Sequence, residues 1–136
     1  MARSLLSFVL LLLLTGCTTH DPAPANELVG NWRLTLYARN GTTSVNPVSV
    51  PADKAVLVSF ASDGRFSESY QNTRPADYAF LGCGGGSYEM VGKQVRIRAT
   101  CMSSLAGQLF DIVSVDGKRL TLAPGSALGF YTFERQ

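Results

Sequence analysis

Histidine is nearly absent: the 136-residue chain holds one, His20, so a histidine-rich metal centre or a triad built on a core histidine has no material. Charge is also sparse. Only 16% of residues are Asp, Glu, Lys or Arg, and the formal net charge is +2, part of it on Arg3. A balance so near neutral offers no basic surface for nucleic acid, and no nucleic-acid partner is expected. There is no CxxC pair, no metal-ligand spacing and no nucleophile–base arrangement, so neither a metal, another cofactor nor an enzymatic activity is expected. Helical periodicity is missing too. No segment carries an amphipathic 3.6-residue pattern for more than about two turns, although short helical pieces at 74–80 or 103–107 fit the residues. One apolar run is present, residues 5–14, and it is too short for a stable membrane span, which needs about 20 residues.

That run has another reading. Arg3 supplies a positive start, residues 5–14 an apolar middle, and Leu14-Thr15-Gly16-Cys17 the end. This is the layout of a secretory signal, and its last four residues resemble the bacterial lipobox, in which a cysteine is lipidated and becomes the new N-terminus. The resemblance implies a signal peptide at 1–16, a lipidated Cys17, and a domain anchored to the membrane by acyl chains. Each buried CH₂ contributes about 0.8 kcal/mol to such an anchor. Thr18, where an Asp would retain a lipoprotein at the inner membrane of a Gram-negative envelope, resembles an outer-membrane address. Residues 17–26 hold two prolines and no large apolar side chain beyond the lipidated end, and read as a tether. His20 falls there, where a mobile tail cannot fix metal geometry by itself. The domain proper is 27–136.

With Cys17 assigned to lipid, Cys83 and Cys101 remain as a pair. A disulfide suits the oxidising envelope, and closing a loop of about 18 residues would stabilise the fold by about 3 kcal/mol. The alternatives are a zinc site, which would need two further ligands, or a reactive thiol. Residues 87–91 and 94–99 flank Gly92-Lys93 as a hairpin. If Val91 faces Gln94, the two cysteines lie nearly opposite, one residue out of register. A bulge at Gly84-Gly85-Gly86 would absorb that residue. The three glycines do not make a phosphate loop, since no Gly-Lys-Ser/Thr or helix follows.

The remaining chain alternates with period two. Residues 31–37, 55–60, 65–70, 87–91, 94–99, 108–115, 119–123 and 129–134 read as strands, with turn signals at Asp63-Gly64, Asp116-Gly117 and Pro124-Gly125. Eight short strands without helical crossovers predict an all-β, antiparallel up-and-down barrel, whose closure removes both sheet edges. Its inward set would be Trp32, Leu34, Leu36, Val56, Val58, Phe60, Phe66, Val95, Ile97, Leu120 and Leu122. Those are mostly bulky groups, so a filled interior with at most a shallow pocket is expected.

Glu27-Leu28-Val29-Gly30-Asn31-Trp32-Arg33-Leu34 opens the domain with Gly-x-Trp, followed by Asp63-Gly64-Arg65-Phe66 and Gly86-Ser87-Tyr88. In this order the chain resembles the lipocalin-like domains of small bacterial lipoproteins. The resemblance implies a calyx-like barrel that binds a small apolar ligand. The chain lacks the C-terminal helix and much of the loop length of larger lipocalins. A second resemblance is to the META-domain family, through Phe66, Cys83, Gly86, Tyr88 and Thr100-Cys101-Met102, although Gly84 stands where that family has Asn. It implies a compact exported β-domain with a structural or inhibitory role, acting through protein contacts in the envelope.

Trp32 is expected to plug one barrel end, its indole N–H reaching a carbonyl, or else to floor a ligand cup. Tyr70 and Tyr88 are candidates for the pocket at the open end. Arg96 and Arg98 alternate with Val95 and Ile97 and should face solvent. Glu68 shares parity with Phe66 and Tyr70; if it points inward its carboxylate needs a partner, for which Arg33 and Tyr37 are candidates. Asp111 poses the same question beside Leu109 and Val113. The loops at 38–54 and 71–82 would form the surface for a protein partner.

Overall fold

β-branched and aromatic residues in strict alternation make strands with one apolar face, and in this chain those faces close on each other. A computed structural model describes residues 27–39, 46–125 and 128–136. Residues 1–26, on which the expected signal peptide, lipidated Cys17, His20 and tether fall, lie outside the described residues, as do 40–45 within the first long connection and 126–127. The strands are β1 (Gly30–Arg39), β2 (Val48–Ser49), β3 (Ala55–Phe60), β4 (Arg65–Gln71), β5 (Gly85–Val91), β6 (Gln94–Ala99), β7 (Gln108–Val115), β8 (Arg119–Pro124) and β9 (Gly129–Arg135). From β3 onward each pairs antiparallel with the next, and β1 pairs with both β3 and β9. Eight strands thus form the closed, lipocalin-like up-and-down barrel. The two-residue β2, absent from the sequence reading, lies against Leu36 and Tyr37 of β1. No helix among the described residues is long and apolar enough to cross a membrane.

One wall departs from simple alternation. In β1, Leu34 faces Phe133 while Leu36 faces Thr132, so Thr35 is an extra residue in the β1–β9 ladder. A one-residue bulge reverses parity beyond it. Leu36 therefore leaves the inward set, and Tyr37 enters it, stacking on Tyr131 at 6.1 Å between centroids. A second irregularity, between Ile112 and Ser114 of β7, leaves Val113 exposed. The rest of the expected inward set is buried.

No bulge is needed at Gly84-Gly85-Gly86, the last two of which open β5. The β5–β6 ladder is regular from Val91↔Gln94 to Gly86↔Ala99, and Cys83 and Cys101 join just past its end as a disulfide, with Cα atoms 5.5 Å apart. Gly86 serves another purpose. A Cβ there would collide with the Arg98 carbonyl, so the hydrogen atom is what lets the two strands close.

The barrel has two unlike ends. The short hairpins after β3, β5 and β7 sit at one, together with Leu28 and Trp32. The longer connections, 72–84 between β4 and β5 and 100–107 between β6 and β7, gather at the other.

Candidate functional site

Trp32 is fully buried, and its Nε1–H donates to the Leu28 carbonyl at 2.8 Å. The Arg135 guanidinium lies 4.3 Å from its ring centroid and donates to the carbonyls of Val29 (3.0 Å) and Glu27 (2.7 Å). Gly30 makes room for this stack. Its φ is +149°, and a Cβ there would strike Arg135 Nη1. Gly-x-Trp is therefore the closed end of the barrel, and Trp32 is a plug, not the floor of an open cup.

The other end is covered by a connection of the chain itself. Residues 72–84 fold back over the mouth, and Phe80 descends into the barrel, 2% exposed. Its ring meets Tyr131 at 4.8 Å, Phe110 at 5.1 Å, Phe133 at 5.3 Å and Phe66 at 6.2 Å, mostly edge to face. Such pairs add about 0.5–1.5 kcal/mol each beyond the area they bury. The place a calyx ligand would take is occupied by the chain's own benzyl group.

Glu68 holds this lid. It is the buried polar residue of the described chain, 3% exposed, and points inward as its parity requires. Oε1 accepts from the Tyr70 hydroxyl at 2.5 Å and from the Phe80 N–H at 2.8 Å; Oε2 accepts from the N–H groups of Leu81 (3.0 Å) and Gly82 (3.1 Å). Four donors converge on one carboxylate, which is how a buried charge becomes tolerable. Neither partner considered from the sequence is used. Arg33 instead donates to the carbonyls of Pro51, Ala52 and Lys54, and Tyr37 stacks on Tyr131. The lid has two further ties: Arg39 Nη2 donates to the Ala79 carbonyl at 2.6 Å, and Cys83 is bonded to Cys101.

The three pocket candidates are not brought together. Trp32 closes one end and Tyr70 stands at the lid. Tyr88 lies at the middle of β5, edge-on to Phe60 at 5.0 Å, its hydroxyl donating to the Ala61 carbonyl in the β3–β4 hairpin. Arg96 and Arg98 face outward toward Glu89 at 3.7 and 2.8 Å, and Asp111 is exposed and accepts from Gln94. Surface depressions lie on the outer wall and the ends, one of about 630 Å³ between the β7–β8 hairpin and the end of β9, and these are not lined by the three residues. No group of three or more His, Cys, Asp or Glu that could hold a metal occurs among the described residues.

Burial, and then the hydrogen bond to Glu68 and its charge, push the Tyr70 hydroxyl well above its ordinary value of about 10. The unfolded chain gives up this proton first as pH rises, so the contribution is complete below about pH 10 and is lost above it. Denaturant titrations across the alkaline range should show stability falling beyond about pH 10, and less steeply in Tyr70→Phe. Parallel declines in the two proteins would show that Tyr70 is not responsible.

No family model and no curated protein matches this chain. Two crystal structures do. An uncharacterized protein from Bacteroides eggerthii is 18% identical with a TM-score of 0.51, over 80% of this chain and 99% of its own. A lipocalin-like protein from Bacteroides uniformis is 13% identical with a TM-score of 0.44, over 81% of this chain and 99% of its own. At 18% identity, the first likeness extends to the fold alone.

Proposed function

We propose that this chain is a lipoprotein of the bacterial cell envelope, attached through acyl chains on Cys17 to the membrane, in the outer-membrane position that Thr18 suggests. Its lipocalin-like barrel is a non-catalytic binding module that takes a small apolar ligand weakly. The observation that carries the weak affinity is Phe80: any ligand for the interior must first displace a well-packed ring. Titrating the full-length protein in mild detergent with a hydrophobic fluorophore should give micromolar affinity or weaker. Stoichiometric submicromolar binding, competed by fatty acids, would mean an open calyx and sink this reading. The anchor has its own check. Cys17→Ser should no longer incorporate a palmitate analogue, and continued labelling in the membrane fraction would remove the basis for the assignment.

A second reading, a structural or inhibitory envelope protein as in the META-domain resemblance, draws support from the loops. Leu105 is 96% exposed and Leu128 73%, both on connections at the lid end. The tether joins the domain at Glu27, beside the closed end, so these loops would point away from the lipid. Native mass spectrometry of the protein from its own host separates the two readings: a co-purifying small molecule supports the first, a protein partner the second.

A further inference from the structure

The geometry points to the Glu68 carboxylate as the recognition group of the barrel's own ligand site, one that admits an aryl or alkyl group bearing a hydrogen-bond donor, such as an amine, and turns away acids. This inference rests on the reading of the barrel interior as the binding site.

Phe80 serves as the template. The segment that fills the site brings a benzyl group to the box of Phe66, Phe110, Tyr131 and Phe133, and N–H groups to Glu68. When the lid lifts, the rings lose an apolar occupant and the carboxylate loses three of its four donors. Tyr70 alone remains. An ionised carboxylate left so under-paired in an apolar mouth is costly, so the open state needs replacement donors. An ammonium or amide attached to an apolar group supplies both halves of what Phe80 supplied. A fatty acid would instead place a second negative charge beside the first. Beside Glu68 stand Tyr70 from its own strand, Val58 across the β3–β4 ladder and the lid backbone, and the charge of Arg39 reaches Tyr70. Arg39, at the exposed end of β1, is engaged with the lid carbonyls of Ala79 and Phe80, and not with the carboxylate.

The test pairs two probes of similar apolar size, phenethylamine and phenylacetate, titrated into the full-length protein at neutral pH while amide exchange at residues 79–83 is followed. The amine should bind about tenfold tighter or better, the margin a charge-assisted hydrogen bond confers, and should accelerate exchange at the lid. In Glu68→Gln that preference should vanish. Equal affinities in the unaltered protein would overturn the assignment without needing a variant, as would a preference that survives Glu68→Gln. Phe80→Ala separates the two failures. If it takes up benzyl alcohol while the unaltered protein shows no amine preference, the interior is a site and Glu68 does not select for it. If neither protein binds any probe, the interior is not a site, and both the proposal and the reading beneath it fall.

Discussion

Trp32→Ala should cost about 3–5 kcal/mol of stability, the range for removing a large buried aromatic, and lower the melting temperature by roughly 10–25 °C. Three losses coincide at that position. The cavity opens at the closed end, the Leu28 carbonyl loses its donor, and Arg135 loses the ring over which it lies. Arg135 is then less well placed to hold the carbonyls of Glu27 and Val29, the link between the first described residues and β9. Trp32→Phe keeps an aromatic face for Arg135 and forfeits the N–H, and should cost less, about 1–3 kcal/mol. Circular dichroism melts of the three proteins check this. A loss below about 1 kcal/mol for the alanine variant would mean that the closed end does not depend on its plug.

The second large effect belongs to the cross-link. Replacing Cys83 and Cys101 together by Ser should lower stability by about 3 kcal/mol, from the loop entropy released to the unfolded chain. The damage should also be local. Cys83 closes the lid three residues after Phe80, so without the bond the lid is held by the packing of Phe80 and by the hydrogen bonds of Glu68 and Arg39. Hydrogen exchange at 79–84 should quicken more than exchange in β6 or β8. Uniform acceleration across the barrel, or a double variant as stable as the parent, would contradict this account.

How far the sequence foretells such detail depends on the range of the interaction. Strands were legible because each advertises its own faces: Val56, Val58 and Phe60 alternate with outward residues without reference to anything distant. The Gly92 hairpin carried the register of β5 and β6, and with it the approach of the cysteines. Glu68 was legible by half. Its parity showed an inward carboxylate, but three of its four donors are backbone N–H groups of 80–82, and backbone amides are the same in every sequence. The β1 bulge was hidden for a related reason. Leu36 and Tyr37 are both acceptable inside, so composition does not choose between them; the choice is made by pairing with β9, far along the chain. Phe80 gave no sign of its role, because a lone Phe in a loop carries no period. Tyr70 and Tyr88 looked alike in sequence and were separated only by the height at which β4 and β5 pair.

Barrel closure has a consequence for how the molecule is made. The seam joins β1 to β9, and Thr35 bonds to the Thr132 carbonyl across 97 residues of chain. A polypeptide emerging N-terminus first can add β3, β4 and each later strand to the growing sheet as it appears. It cannot cover the β9-facing edge of β1 until the last strand exists. Every earlier species is an open sheet with two edges, one of them belonging to β1 throughout, and free edges invite pairing with other chains. Both edges vanish in one event, the docking of β9, and the same event sets Arg135 over Trp32. The β1 edge therefore stays uncovered for the whole interval between the first strand and the ninth.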